Sequence, residues 1–205
     1  MPTKSEQTDL MQALYGRNGE SPLVVLSAKS TGDCFKAAFD AAKIALEHMT
    51  PVILLTDAYT ANGSVAWKIP DYEKYPEIKP NYVKNYKGSE PWKPYFRDEK
   101  SLVRYWAIPG DEGFQHRLGG LEKDNLTSAI STHPENHQLM VTKRQQKIRN
   151  IADCIEPLEV EGDKDADLLI VGWGGTYGHL HEVAECMQQN GKKVAHAHFR
   201  FINPL

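Results

Sequence analysis

The chain has 205 residues, of which 40% are hydrophobic and 25% are charged, which suffices for one domain or two small ones with a buried core. Its net charge of −3 gives no basic surface of the kind that phosphate backbones attract, so nucleic-acid binding is not expected. No apolar run approaches the roughly 20 residues that span a bilayer, so no membrane insertion is expected. Cys34, Cys154 and Cys186 are scattered, which favours reduced thiols in the cytoplasm over disulfides. A cysteine-ligated iron–sulfur cluster needs about four thiolates and is excluded within this chain.

The first predicted element is a helix that follows Pro2. Thr3 and Glu6 have the spacing of a capping box, in which each side chain covers a free backbone N–H. Leu10 and Ala13 then fall on one helical face, and Gly16 is a plausible stop. Local physics thus explains these residues without any function.

A first strand–helix–strand unit comes next. The apolar run 22–26 predicts a buried strand, residues 35–49 repeat apolar side chains at helical spacing, and the run 51–55 predicts a second buried strand. Short connections then imply two parallel strands with a right-handed crossover. Asp57 ends the second strand, where α/β folds place functional groups, although a turn or cap aspartate explains it as well.

The middle of the chain has a different character. Residues 67–109 contain six prolines and much of the aromatic content, so we expect an ordered but irregular segment without long helices. Thr132 and Glu135 then form a capping box for a long polar helix over 134–155. In the loop between, Arg117 and Glu122 are candidate cleft residues, against the simpler interpretation of solvated charges.

A second such unit lies near the other end. Residues 167–172 predict a strand, 180–187 a helix with Gly191 as its C-terminal stop, and 193–199 the returning parallel strand. The predicted fold class is therefore α/β, with two partial parallel βαβ units joined by an irregular segment rich in proline and aromatic residues. Each unit supplies only two strands, so we expect the chain to be a piece of a larger protein.

Glycines follow the first strand of this second unit, in the string GWGGTYG over 172–178. A helix N-terminus there can hold an anion, so Gly174, Gly175 and Thr176 are candidates for a phosphate or partner contact. A tight turn with close backbone packing is the alternative. The string is neither the dinucleotide fingerprint nor a P-loop.

Two histidine pairs suggest metal binding at first sight. His179 and His181 point in different directions on a helix, and His196 and His198 share a strand face without an evident third ligand. We therefore predict no metal site, and spacing alone identifies no catalytic residue.

Taken together, the motifs resemble those of the alpha subunit of 2-oxoacid:ferredoxin oxidoreductases, most closely the 2-oxoglutarate type, in order along nearly the whole chain. The strings that carry the resemblance are PTKSEQTDLMQALYG, TPVILLTD, HRLGGLEK, GWGGTYG and HAHFRFINPL. The resemblance implies three regions: the end of a thiamin-diphosphate pyrimidine-binding-type domain (1–66), an irregular connecting segment with a long helix (67–155), and the truncated start of a transketolase C-terminal-type domain (156–205).

The resemblance also implies an activity. Such enzymes oxidatively decarboxylate a 2-oxoacid on thiamin diphosphate, transfer the acyl group to coenzyme A and reduce ferredoxin. Thiamin diphosphate, its magnesium and the iron–sulfur cluster are expected mainly on a partner beta subunit, and none of them on this piece alone, which should be inactive. The expected partners are thus the beta subunit, ferredoxin and a small 2-oxoacid.

By the same resemblance, Thr3 and Lys4 are expected to lie beside the cofactor cleft and to contact the substrate carboxylate, with a solvated Lys4 as the alternative. Gln7 is a candidate cleft or interface residue. Two alternatives remain open. The chain could be a non-catalytic scaffold or subunit-association module, or part of another thiamin-dependent, transketolase-like enzyme.

Overall fold

A computed structural model describes residues 8–88 and 90–205 of the protein. Its helices are α1 (Thr8–Tyr15), α2 (Cys34–His48), α3 (Ala58–Asn62), α4 (Pro134–Asn150) and α5 (Tyr177–Gln189). Its strands are β1 (Val24–Ser27), β2 (Val52–Leu55), β3 (Val160–Gly162), β4 (Leu168–Trp173), β5 (Val194–Phe199) and β6 (Phe201–Asn203). The predicted α/β class is confirmed, and both predicted strand–helix–strand units are present.

The first sheet has the strand order β2-β1-β6. β1 and β2 run parallel, with Val24 opposite Val52, and α2 connects them as predicted. β1 is the central strand of this sheet, and all four of its residues are buried. β6 was not predicted from the sequence; it adds antiparallel to β1 and makes the sheet mixed.

The second sheet has the order β3-β5-β4. β4 and β5 are parallel and joined by α5, as the apolar pattern predicts. The unpredicted β3 pairs antiparallel with β5 and places Glu161 directly opposite His196. One residue, Arg200, separates β5 from β6, so the chain passes directly from the second sheet into the first.

The chain divides into two compact units. One comprises the described residues of Met1–Leu23, Lys43–Pro51 and Glu77–Cys154; the other comprises Val24–Ala42, Val52–Pro76 and Ile155–Leu205 and contains both sheets. The domain boundaries at residues 66 and 155 remain predictions.

The proline- and aromatic-rich segment is irregular, as predicted. From Gly63 to His133, the described residues hold two short 3₁₀ turns, Tyr72–Lys74 and Val83–Asn85. Aromatic rings order the segment: Tyr75, for example, packs edge-on against Phe39 of α2, with ring centroids 4.8 Å apart.

The capping box predicted for α4 is wrong. The helix begins at Pro134 with His133 as its N-cap, and that residue makes no side-chain capping bond in the described structure. The N-cap falls at His133, one residue after Thr132, so Thr132 and Glu135 do not have the positions that a capping box requires. It ends at Asn150, and a 3₁₀ turn, Ile151–Cys154, continues it. Within residues 8–88 and 90–205, no helix combines the length and apolarity needed to cross a membrane.

Candidate functional site at the strand ends

Asp57 stands at the carboxyl end of β2 and begins α3. Its Oδ1 accepts hydrogen bonds from the backbone N–H of Thr60, at 2.8 Å, and from the Thr60 hydroxyl, at 3.0 Å. The Thr60 hydroxyl also lies 3.2 Å from the backbone N–H of Asp57, which completes a capping box. Asp57 is therefore a helix cap, one of the two interpretations that the sequence left open.

The second carboxylate oxygen of Asp57 reaches the glycine turn after β4. Oδ2 accepts the backbone N–H of Gly175 at 3.0 Å, so two stretches that are 118 positions apart meet here. A Cβ at Gly175 would collide with this carboxylate, which explains why glycine stands there. Gly174 has a φ of +63°, a conformation that glycine adopts without strain.

The hydrogen bonds also set the charge of Asp57. Burial by itself would raise the pKa of the carboxyl group, but the Thr60 N–H and hydroxyl and the Gly175 N–H together lower it below its ordinary value. Asp57 is thus ionised at neutral pH. The anion that lies against the turn of Gly174 and Gly175 is a carboxylate of the chain itself.

Further groups surround this turn. The Thr176 hydroxyl donates to the carbonyl of Trp173 at 2.7 Å, and a ring nitrogen of His198 lies 3.0 Å from the carbonyl of Gly174. The Lys29 ammonium, just beyond β1, lies 4.4 Å from the ring centre of Tyr177. The carboxyl ends of β1, β2 and β4 therefore contribute to one site, which we call the strand-end site: Lys29, Asp57, Gly174, Gly175, Thr176, Tyr177 and His198.

One histidine from each pair joins a carboxylate beside the strand-end site. Glu161, His181 and His196 have ligand atoms that all lie within 4.8 Å of one another. His181 Nδ1 is 2.9 Å from Glu161 Oε2, and the Tyr177 hydroxyl is 3.3 Å from Glu161 Oε1. Two imidazoles and a carboxylate are a ligand set that Zn²⁺ accepts, so these three residues are the described groups best placed to hold such an ion.

The sequence contained the signal for this cluster, but in separate places. The sequence shows two separate pairs, whereas the cluster takes His181 from the helical pair and His196 from the strand pair. Its carboxylate, Glu161, belongs to β3, which was not predicted. His196 is 2% exposed, and burial lowers the pKa of its imidazole, with His181 acting in the same direction and Glu161 opposing it.

The remaining predicted residues lie elsewhere. Glu122 is half-buried and its Oε2 lies 3.2 Å from Arg144 of α4 and 3.1 Å from His137. Arg117 is exposed in the preceding loop. Thr3, Lys4 and Gln7 lie outside the described residues. The structure therefore brings Asp57 together with Gly174, Gly175 and Thr176, and places Glu122 and Arg117 in the other compact unit.

Comparison with known proteins gives the family. The family model described as "Pyruvate flavodoxin/ferredoxin oxidoreductase, thiamine diP-bdg" matches residues 1–136. The chain is 50% identical to 2-oxoglutarate oxidoreductase subunit KorA of Mycobacterium tuberculosis over 100% of its own length and 31% of the relative. It is 29% identical to 2-oxoacid:ferredoxin oxidoreductase 1, subunit alpha, of Aeropyrum pernix over 100% of this chain and 32% of that protein.

A solved structure agrees. The 2-oxoglutarate:ferredoxin oxidoreductase from Magnetococcus marinus, with 2-oxoglutarate, coenzyme A and succinyl-CoA bound, superposes with a TM-score of 0.85 at 30% identity. The match covers 96% of this chain and 34% of the other, so the chain spans about a third of the length of these relatives. The chain belongs to the pyruvate flavodoxin/ferredoxin oxidoreductase family, whose thiamine-diphosphate-binding domain matches residues 1–136.

Proposed function

We propose that the chain is part of the alpha subunit of an oxidoreductase that converts 2-oxoglutarate and coenzyme A to succinyl-CoA and carbon dioxide, with ferredoxin as the electron acceptor. The observation that carries the proposal is the structural match, at 30% identity and a TM-score of 0.85, to an enzyme solved with these organic ligands. The 50% identity to a 2-oxoglutarate oxidoreductase subunit supports the same oxoacid. Each turnover releases two electrons, which one-electron ferredoxins accept in succession.

The strand-end site does not fit the diphosphate of thiamin diphosphate. The N–H of Gly175 is already bonded to the Asp57 carboxylate, and a phosphate placed there would be repelled by that charge. We assign thiamin diphosphate and its magnesium mainly to a partner beta subunit. Bound there, this cofactor would supply the nucleophile for the oxoacid.

The iron–sulfur cluster is assigned to the partner for a similar reason. Cys34, Cys154 and Cys186 are free thiols, and about four clustered thiolates are needed to hold a cluster. The same free thiols support a cytoplasmic location, where cysteines stay reduced.

The chain's own contribution is to bind and orient the substrate. We assign substrate contact to Thr3 and Lys4, because a lysine ammonium attracts a 2-oxoacid carboxylate. We propose Gln7 as a further residue of the same site. Asp57 is a positioning residue, since it holds the turn of Gly174 and Gly175 in place through its two carboxylate oxygens.

The activity is tested with the complete gene product, copurified with the subunits with which it assembles. Viologen reduction is followed with 2-oxoglutarate, pyruvate or neither, each with and without coenzyme A and thiamin diphosphate. We expect reduction that requires 2-oxoglutarate and both additions. A preparation with an intact cluster and bound thiamin diphosphate that reduces no dye would contradict the proposal and favour a scaffold role or a transketolase-like reaction.

The role of Lys4 is tested in the same assay. Lys4→Ala should raise the KM for 2-oxoglutarate about tenfold or more, because a charge-assisted contact to the substrate carboxylate is lost. Lys164→Ala, which removes an exposed ammonium on the loop before β4, is the matched control and should leave KM unchanged. Equal KM and kcat in Lys4→Ala and the unchanged enzyme would exclude substrate contact.

A further inference from the structure

A cavity of about 450 Å³ lies within the compact unit that contains α4, and no residue of the strand-end site lines it. Its lining combines apolar side chains, among them Met49, Leu102 and Met140, with an unusual number of cations. The cationic side chains are Arg97, Arg104, Lys123, Lys143, Arg144 and Lys147. Two carboxylates, Glu20 and Glu122, also line the cavity, so its walls carry a net positive charge of four.

Both carboxylates of the cavity form ion pairs with the same cation. Arg144 forms ion pairs with Glu20 and with Glu122. Within residues 8–88 and 90–205, the other five cationic side chains of the cavity make no ion pair with any carboxylate. Surface lysines can remain unpaired at little cost, but half-buried charges without a counter-ion are expensive.

Neutral groups hold these cations in place. Lys147 Nζ donates to the carbonyl of Met49 at 2.7 Å, and Lys143 Nζ donates to Asn125 Oδ1 at 2.7 Å. The Arg104 guanidinium lies 4.4 Å from the ring centre of Tyr95. Lys123 is 2% exposed, and its ammonium is held by the backbone carbonyls of Gly119 and Leu121. The positive charges are thus oriented by their surroundings without being neutralised.

Burial and the closeness of the positive charges lower the pKa values of two of these cations. Burial, and then the charges of Arg104 and Arg97, lower the pKa of Lys147 to about 8. Burial, and then the charge of Arg104, lower the pKa of Arg97 to about 10. Each group loses protons more readily than usual because burial, and then the neighbouring positive charges, disfavour its charged form. An anion in the cavity would reverse this effect.

We propose that this cavity binds a small anion that carries phosphate groups, either as a free diphosphate or as the phosphates of a nucleotide. Five unpaired cations call for a multivalent anion, and guanidinium groups match phosphate oxygens with two parallel hydrogen bonds. The volume lies in the range of small-molecule sites, and the methionine, leucine and tyrosine walls can cover an organic portion. The proposal does not depend on the assigned oxidoreductase activity.

The proposal is tested by calorimetric titration of the full chain, at pH 7 and low ionic strength, with three phosphate compounds, inorganic diphosphate, ADP and coenzyme A, and with 2-oxoglutarate as the anion that lacks phosphate. We expect saturable binding at one site that weakens as salt is added. Similar affinity for all three would identify phosphate groups as the whole determinant. Tighter binding of ADP and coenzyme A would assign the site to a nucleotide. Both results support the proposal, whereas tighter binding of 2-oxoglutarate, or no binding of any phosphate compound, would overturn it.

Matched variants locate the site. Arg104→Gln and Lys147→Gln should each weaken binding about tenfold or more, because each removes a charge-assisted contact to the anion. Arg149→Gln removes an exposed cation from the same helix as Lys147 and should bind like the unchanged chain. Equal weakening in Arg149→Gln and the two cavity variants would overturn the location.

Unfolding experiments separate binding from a purely structural role. A cation crowded by like charges opposes folding, so Arg104→Gln should raise the melting temperature of the free chain while it weakens anion binding. A purely structural arginine would show the opposite change in melting temperature and no change in affinity. If Arg104→Gln does not fold, Lys143→Gln provides the same comparison at another cation that lines the cavity.

Discussion

The carboxylate of Asp57 and the backbone N–H of Gly175 form a 3.0 Å hydrogen bond that joins the end of β2 to the turn after β4. The approach is so close that position 175 has no room for a side chain. This contact connects the two sheets of one compact unit at the strand-end site. Single substitutions at this contact can therefore test the geometry of the site.

Gly175→Ala should therefore destabilise the chain. The added Cβ must displace the Asp57 carboxylate, and overpacking of this kind costs about 1–3 kcal/mol in the free energy of unfolding. Gly178→Ala is the control, because no described atom lies within 4 Å of a Cβ at that position in α5. Denaturant unfolding measures both, and equal stability of the two variants would contradict the close contact.

Arg200 offers a second test, in the segment between β5 and β6. Its side chain is 13% exposed and pairs with Asp40 at 2.6 Å and with Asp33 at 3.3 Å. Arg200→Met should lower the free energy of unfolding by about 3 kcal/mol, because Asp33 loses its counter-ion and Asp40 keeps only the exposed Lys36. Urea unfolding of the variant gives this value directly.

The control for Arg200 shares one of its partners. Lys36 also pairs with Asp40 but is 42% exposed, and exposed ion pairs contribute about 1 kcal/mol or less. Lys36→Met should therefore change stability little. Comparable losses in the two variants would show that the Arg200 pairs are screened by water as well.

The buried imidazole of His196 should make the stability of the folded chain fall at acidic pH. Its pKa in the folded chain is lowered, chiefly by burial, so the unfolded chain binds more protons near pH 6. The associated stability is complete above the ordinary histidine value of about 6.5 and is lost as pH falls through the lower, folded-state value. His196→Gln should make the unfolding free energy less dependent on pH between about 7 and 5.

A matched histidine variant isolates this effect. His179→Gln changes an exposed side chain on the same unit and should keep the slope of the unchanged chain. The measurements are made with a chelator present, so that metal binding by Glu161, His181 and His196 does not contribute. Identical slopes in His196→Gln and the unchanged chain would contradict the lowered pKa.

Anion binding in the cationic cavity should also depend on pH. The pKa of Lys147 is about 8, so this ammonium loses its proton as pH rises from 7.5 to 9 while the arginines that face it, Arg97 and Arg104, stay charged. The affinity for ADP should fall over this range, since the charge of ADP is constant there. Titration calorimetry at several pH values measures the change.

The corresponding variant gives the control. Lys147→Gln should bind ADP more weakly at pH 7.5 and show a flatter dependence up to pH 9. The other charged groups of the cavity, Lys123, Lys143, Arg144, Glu20 and Glu122, remain in that variant. A dependence as steep as in the unchanged chain would assign the effect to one of them.

Sequence patterns predicted the regular part of the fold. Local signals mark most of these elements: apolar runs over β1, β2 and β4, and helical periodicity over α2 and α5. Such signals can be recognised in the sequence without knowing which elements lie next to each other. β3 and β6 are three residues each, too short for any periodicity to be recognised. They are strands because β5 and β1 offer them hydrogen-bonding edges, which is information from tertiary structure.

The candidate site likewise has residues that local sequence patterns indicate and residues that only the tertiary structure brings together. Asp57 and Gly175 could be singled out because each follows a strand in the sequence, although their contact could not. The cluster of Glu161, His181 and His196 depends on a strand pairing and a helix position that no local pattern contains. The cationic cavity draws on loop residues and on α4, so its charge is invisible in a net total of −3 for the whole chain.

The single residue between β5 and β6 has a mechanical consequence. A longer connection would let one sheet move independently of the other, but Arg200 is the only residue between β5 and β6. Its carbonyl accepts the Ser27 N–H of β1 at 2.8 Å, and its side chain donates a hydrogen bond to Asp40. A pull on β5 is therefore transmitted at once to β1, the most buried strand. Under load, the two sheets should yield together in one event, as a single mechanical element.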